Sequence, residues 1–315
     1  MPRSSAEERI LVKLETAAGD GGGGTAIQLP LDRLTLQPVE PKAQHRSAGC
    51  EVPSGESQAR THCTWDGEGA LDANVLPYIL GMLFGAETSS PFEYAPDPYA
   101  SDPIQTLAIQ TGSDTHAEEA PYGVCESLRI RLTKTDPSIT CSGFAQTANL
   151  DATLWTTPTI LPKAPADGAL WYVQVGATIG GLATIPSEEC EFNLGPRWGP
   201  HFQNDEGADT FTEHVKLAST PTVNLDLQAL DDADDLWEAS RLKEGRFLRA
   251  TIPSNVEFSA GNTYEILITI YGTITAPKRQ DKDNIFDAQF VFHPEPHTDL
   301  GGSWINIKVT NGRTL

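Results

Sequence analysis

Seven histidines, five cysteines and a cluster of aspartates are the side chains of this sequence best suited to hold a metal or activate a nucleophile. His293 and His297 have a zinc-like separation, but Pro294 and Pro296 interrupt any helix that would align them. The other histidines, at 45, 62, 116, 201 and 214, are dispersed, and neither HExxH nor G-x-S-x-G occurs. Cys50, Cys63, Cys125, Cys141 and Cys190 form an odd, scattered set without a CxxC pair, which reads as free, partly buried thiols; a Cys50–Cys63 disulfide is conceivable only outside a reducing cytoplasm. Asp231, Asp232, Asp234 and Asp235 lack the glycine and terminal glutamate of a calcium loop and read as the charged start of a helix. The GDGGGGT run at 19–25 has no lysine to meet a phosphate and leads into a strand, so it reads as a flexible arm. Trp65, Trp155, Trp171, Trp198, Trp237 and Trp304 share no spacing that would build a sugar-stacking face. The expectation is a chain with no catalytic, cofactor-binding or metal-binding residues, hence no cofactor, and not an enzyme.

The elements that could position such residues are mostly strands. Leu128, Ile130 and Leu132 alternate with Arg129 and Arg131, Val223, Leu225 and Leu227 with Asn224 and Asp226, and Ile305, Ile307 and Val309 with Asn306 and Lys308. Ile27, Leu29 and Leu31 repeat the pattern, and 264–275 is rich in β-branched residues. Period two is the mark of a half-buried strand. Glycine (27) and proline (23) supply the many turns that short strands need. Two helices are expected. One spans roughly 75–84, capped by Asn74 and stopped by Gly85, with Leu76, Ile79, Leu80 and Leu83 as its apolar stripe; the other spans roughly 233–243, capped by Asp232 and stopped by Gly245. Residues 89–103, 112–123 and 187–209 read as long loops, with 191–194 a doubtful strand.

Both helices follow a stretch of strand and lie about half a chain apart, which points to an internal repeat of layout. The fold class expected is therefore mainly β: two tandem β-sandwich or barrel units, 1–160 with an N-terminal arm and 161–315, each with one short flanking helix. The join falls in the proline-rich stretch 156–168. Acidic residues outnumber basic ones by 43 to 22, and the formal charge of −21 opposes tight binding to a nucleic-acid backbone. The polar start MPRSSAEER carries no apolar run for a signal peptide, and 75–86 is too short for a membrane span, so synthesis in a cytoplasm and no membrane partner are expected.

Three segments carry a resemblance. LVKLETAAGDGGGGT (11–25) is similar to a K-x-E-T-x-x-G opening arm, WDGEGALDANVLPYILGMLFG (65–85) to an acidic strand end followed by a leucine-rich helix, and FDAQFVFHPEPHTDLGGSWINIKVTNG (286–312) to a closing pair of strands ending in I-x-V-x-N. In that order they resemble the siphophage-type tail tube proteins of bacteriophages, including duplicated members of that family. The resemblance implies a structural virion protein, made in the host cytoplasm. Its partners would be itself, in stacked rings of three or alternatively six subunits, other tail proteins such as tape measure and terminator, and double-stranded DNA in non-specific transit. An acidic channel lining would let DNA slide. Residues 1–24 are expected to be unordered before assembly, so that their deletion spares folding and prevents stacking. The alternatives are a tail terminator or minor capsid protein and, further off, a carbohydrate-binding β-sandwich module.

Overall fold

The computed structural model describes residues 8–40, 42–45, 55–58, 60–87, 89–99, 104–202, 210–227, 234–282 and 285–313. The chain is mainly β. In order, its first half contains β1 (Arg9–Leu14), β2 (Ile27–Gln28), β3 (Arg33–Val39), β4 (Lys42–His45), β5 (Gly55–Gln58), β6 (His62–Ala70), α1 (Leu76–Phe84), β7 (Phe92–Tyr94), β8 (Leu107–Ser113), β9 (His116–Thr133), β10 (Ser138–Ala145), β11 (Asn149–Ala152) and β12 (Thr159–Ile160). The second half contains β13 (Tyr172–Gly176), β14 (Ala183–Ile185), β15 (Glu189–Asn193), β16 (Trp198–His201), β17 (Glu213–Lys216), β18 (Thr222–Leu227), α2 (Asp234–Leu242), β19 (Gly245–Ser259), β20 (Asn262–Lys282), β21 (Ile285–Pro294) and β22 (Ile305–Thr310).

The connectivity occurs twice. β3, β6, β10 and β9 pair in that order, all antiparallel; β15, β18, β21 and β20 do the same. β1 pairs β2 and β8, and β8 pairs β9; β13 likewise pairs β14 and β19, and β19 pairs β20. After β10 the chain returns to β9 as β11, and after β21 it returns to β20 as β22. Even the small insertions match: the hairpin β4–β5 sits between β3 and β6, and β16–β17 between β15 and β18. The helix follows β6 in one copy and β18 in the other. The copies fall either side of the expected division at 160/161, yet β9 pairs β15 and β7 pairs β22 across it. One apolar core runs through both.

Alternation explains which face each strand buries. On β6, Cys63, Trp65, Gly67 and Gly69 point inward while Asp66 and Glu68 are exposed. On β9, Leu128, Ile130 and Leu132 are buried and Arg129 and Arg131 exposed. The pleat places every second residue on one face, so the core face is apolar and the other wet.

Several local expectations are corrected. All nine residues of α1 are buried, so its apolar stripe extends right round the helix. Asn74 does not cap it: Val75 precedes the helix with helical dihedrals and no side-chain cap. The Asn74 amide instead donates to the Pro162 carbonyl at 2.9 Å, and buried Asp72 accepts from the backbone N–H groups of Asn74 (2.7 Å) and Ala164 (2.6 Å). Gly85 does end α1, but at φ 135°, ψ 163°, a region open essentially to glycine alone, rather than in the left-handed helical well. For α2 the left-handed residue is Lys243 (φ 57°), and Gly245 already belongs to β19, where a Cβ would run into the Tyr271 ring. Asp231 and Asp232 lie outside the described residues.

The loops are shorter than expected. Residues 89–103 contain β7, 112–123 belong to the β8–β9 hairpin with Glu118 and Glu119 inside β9, and 187–209 contain β15 and β16; 203–209 lie outside the described residues. The strand around Ile27, Leu29 and Leu31 shrinks to Ile27–Gln28.

The glycine run is no free arm. Asp20 accepts from Thr16 Oγ1 (2.5 Å) and from the N–H groups of Ala17 (3.0 Å) and Gly22 (2.9 Å), which hold its carboxyl down at about 2, the Thr16 hydroxyl contributing most. Gly19, Gly21 and Gly22 turn there with φ between 73° and 82°. Buried Glu15 accepts from Gly19 N (3.1 Å) and Gly21 N (3.3 Å), and across 107 residues from Tyr122 N (2.9 Å).

Candidate assembly interface

The residues singled out for chemistry are engaged elsewhere. His293 Nε2 lies 2.6 Å from Thr275 Oγ1, while the His297 ring packs on Tyr271 and Phe247 with centroids at 4.2 and 4.8 Å. Asp235 grips Arg246 through two bonds of 3.0 and 3.1 Å. Cys63, Cys125, Cys141 and Cys190 are buried free thiols; burial pushes Cys63 up to about 11 and Cys141 to about 12, which leaves little thiolate at neutral pH. Cys50 lies outside the described residues. None of the six tryptophans is exposed: Trp65, Trp171, Trp198 and Trp304 are buried, Trp155 lies under the Lys13 ammonium at 4.3 Å, and Trp237 packs edge-on to Phe290. Among the described residues no group of three or more His, Cys, Asp or Glu could hold a metal, and no helix is long and apolar enough to cross a membrane.

What the fold does display is a joint between its own two copies. Arg129, Ile130, Arg131, Leu132 and Thr133 of β9 face Asn193, Phe192, Glu191, Cys190 and Glu189 of β15. On the core side Ile130, Leu132, Cys190 and Phe192 are fully buried. On the wet side Arg131 bonds Glu189 (Nη2 to Oε2, 2.9 Å) and Arg129 bonds Glu191. The Leu194 N–H donates to the Leu128 carbonyl at 2.8 Å and extends the ladder. Trp171 Nε1 donates to the Thr133 carbonyl at 2.8 Å, so the end of β9 is seated between the start of β13 and β15.

Burial pushes the Glu191 carboxyl up, but hydrogen bonds from Arg129, Asn193 and Asn224, with the Arg129 charge, outweigh it and leave it below its ordinary value. A depressed carboxylate stabilises the fold above its unfolded pKa, and that contribution is lost as pH falls through the lower folded value. Acid should therefore weaken the joint. Glu191→Gln is expected to flatten the fall of melting temperature between pH 5 and 3, checked by circular dichroism; an unchanged slope would show that the carboxylate contributes nothing there.

The run of strands that carries this joint is open at both ends. Among the described residues β3 pairs only with β6, and beyond Thr273 β20 pairs only with β21. They are the two ends of the eight-stranded run β3–β6–β10–β9–β15–β18–β21–β20. Above β3 opens a groove of about 470 Å³ lined by Glu8, Ile10, Leu31, Leu34 and Ile160, among others. Ile160 is 71% exposed at its rim. The chain matches no protein-family model and no curated protein sequence. The sequence signal that could have found this site is the double helix-and-strand layout; the edges themselves depend on pairing order, which alternation does not reveal.

Proposed function

We propose that this chain is a structural subunit of a phage tail tube, in which three copies close into a ring, rings stack, and DNA passes through the channel. One observation carries the reading: the chain holds two copies of one connectivity, already joined edge to edge through β9 and β15, with an open edge at each end of the run. A heterologous joint of that kind, repeated between chains, closes a ring when the rotation allows and removes both unpaired edges. Three chains supply six units. The resemblance of 11–25, 65–85 and 286–312 to tail tube proteins points the same way, and tape measure and terminator proteins would be the further partners in the virion.

The wet face of the eight-stranded run suits a channel for DNA. Residues paired directly opposite share a face, and by register this one carries Asp66, Glu68, Glu189, Glu191, Asp226 and the Asp287 position against Arg33, Arg129, Arg131 and the Lys278 and Lys282 positions. The arginines at the joint are neutralised by Glu189 and Glu191, which removes their pull on phosphates. Negative-stain electron microscopy of concentrated protein tests the reading. Stacked hollow tubes are expected; rings that never stack would replace it with a single-ring tail terminator, and monomers alone would end it.

A further inference from the structure

The internal joint specifies how the two open edges meet. Gly67 on β6 and Leu225 on β18 each lie nine residues ahead of their helix. Gly67 pairs Leu34 and Cys141, and Leu225 pairs Cys190 and Phe290. A second anchor is independent of the helices. In the β9–β10 hairpin Arg131 faces Ser138, and in the β20–β21 hairpin Gln280 faces Asp287, seven residues apart in both. Cys141 stands three residues after Ser138 and Phe290 three after Asp287, so the two anchors give one alignment. In that alignment Leu34 corresponds to Cys190, Thr35 to Glu191 and Arg131 to Gln280. Each long hairpin also carries one bulge, at Glu126 on β9 and one or two positions further along in the alignment on β20, between Thr275 and Lys278.

We propose that the end of β20 from a second copy of this chain lies antiparallel along β3, with Gln280 opposite Thr35, Asp281 opposite Leu34 and Arg279 opposite Leu36, and that it fills the groove above β3. The proposal rests on the ring reading above for the identity of the partner. The register follows from Arg131 facing Glu191. The groove follows from position: where β9 is seated, between the start of β13 and β15, the matching space in the first copy lies between the start of β1 and β3. That space is the cavity lined by Glu8, Ile10, Leu31, Leu34 and Ile160. A strand added there satisfies the free donors and acceptors of β3 and covers the exposed Ile160.

Engineered disulfides read the register. The Leu194–Leu128 bond marks that pair as hydrogen-bonded. Pairs alternate along an antiparallel ladder, so Arg131/Glu191 is non-hydrogen-bonded, with Cα atoms about 4.5 Å apart, and so is Gln280/Thr35. That spacing is within disulfide reach. In a Cys50→Ser background, Thr35→Cys with Gln280→Cys is expected to give covalently closed multimers on oxidation of concentrated protein, seen on a non-reducing gel. Thr35→Cys with Lys278→Cys or with Lys282→Cys, each two residues out of register, should lose the product. A second variant tests the groove. Ile160→Arg, at an exposed position, should abolish rings while leaving the monomer melting temperature unchanged. If rings form but an out-of-register pair links better, or Ile160→Arg assembles normally, the proposal is overturned and the tube reading stands. If neither rings nor links form, both fall.

Discussion

A chain lacking residues 1–24 is expected not to fold. β1 runs antiparallel to β8 over six residue pairs, from Arg9 opposite Gly112 to Leu14 opposite Leu107, and Ile10, Leu11 and Val12 are buried. Leu11 completes a small cluster with Ala117 and Leu154. Fully burying an aliphatic side chain contributes roughly 1.5–3 kcal/mol, so the three together are of the order of 6 kcal/mol. Net stability of a domain is about 5–15 kcal/mol. The deletion also removes the Glu15 carboxylate and leaves the buried Tyr122 N–H without its acceptor. Loss of the cooperative thermal transition and rapid proteolysis are expected. A deleted chain that melts like the parent would refute this. This reverses the expectation that the segment is dispensable for folding, because a core strand, Arg9–Leu14, stands just ahead of its glycines.

Gly143→Val should be the most damaging single substitution in the first copy. Gly143 sits at the β9–β10 bulge opposite Trp65. A Cβ there would collide with the Val124 carbonyl oxygen and come within 2.7 Å of the Trp65 ring. Carbonyl oxygens in a ladder have no rotamer to escape into, so the strands must separate. Overpacking of a core costs typically about 1–3 kcal/mol and occasionally more, and the backbone clash puts this substitution at the upper end. The urea midpoint should drop accordingly; Trp65→Gly in the same chain should not restore it, because the carbonyl remains. A midpoint within error of wild type would show that the bulge yields.

Much of the fold was legible because alternation reports burial directly. Leu128, Ile130 and Leu132, Val223, Leu225 and Leu227, and Ile305, Ile307 and Val309 all point inward as read. The internal repeat was legible only as layout, and the packing explains why. Trp65 faces Gly143 in one copy, where Val223 faces Phe292 in the other; Gly67 faces Cys141, where Leu225 faces Phe290. In the first case the larger residue changes strand, and in the second two small residues stand where the other copy has two large ones, so position-by-position comparison finds nothing. The stretch 112–123 looked like a loop because it contains Gly112, Pro121 and Gly123. Gly112 lies within β8, and Pro121 and Gly123 mark where β9 leaves β8 and β11 for β10 and β15, with Tyr122 at φ 58° and no room for a Cβ at Gly123 beside the Leu107 carbonyl. The bond from Tyr122 N–H to Glu15 spans 107 residues and leaves no local trace. Nor does a strand's own sequence say whether its second edge is occupied, which hid β3 and the end of β20.

The β9–β15 joint has a kinetic consequence. It forms as the chain folds, at an effective concentration set by the connecting segment and untouched by dilution. In the proposed ring, the dependence of ring closure on protein concentration would then arise at the β3 and β20 edges. Substitutions at Phe192 or Glu191 would move the melting temperature of the single chain, whereas substitutions at Thr35 or Gln280 would move an association constant. Fusing two units into one chain halves the number of joints that must form between chains to complete a ring, and it excludes closed rings with an odd number of units.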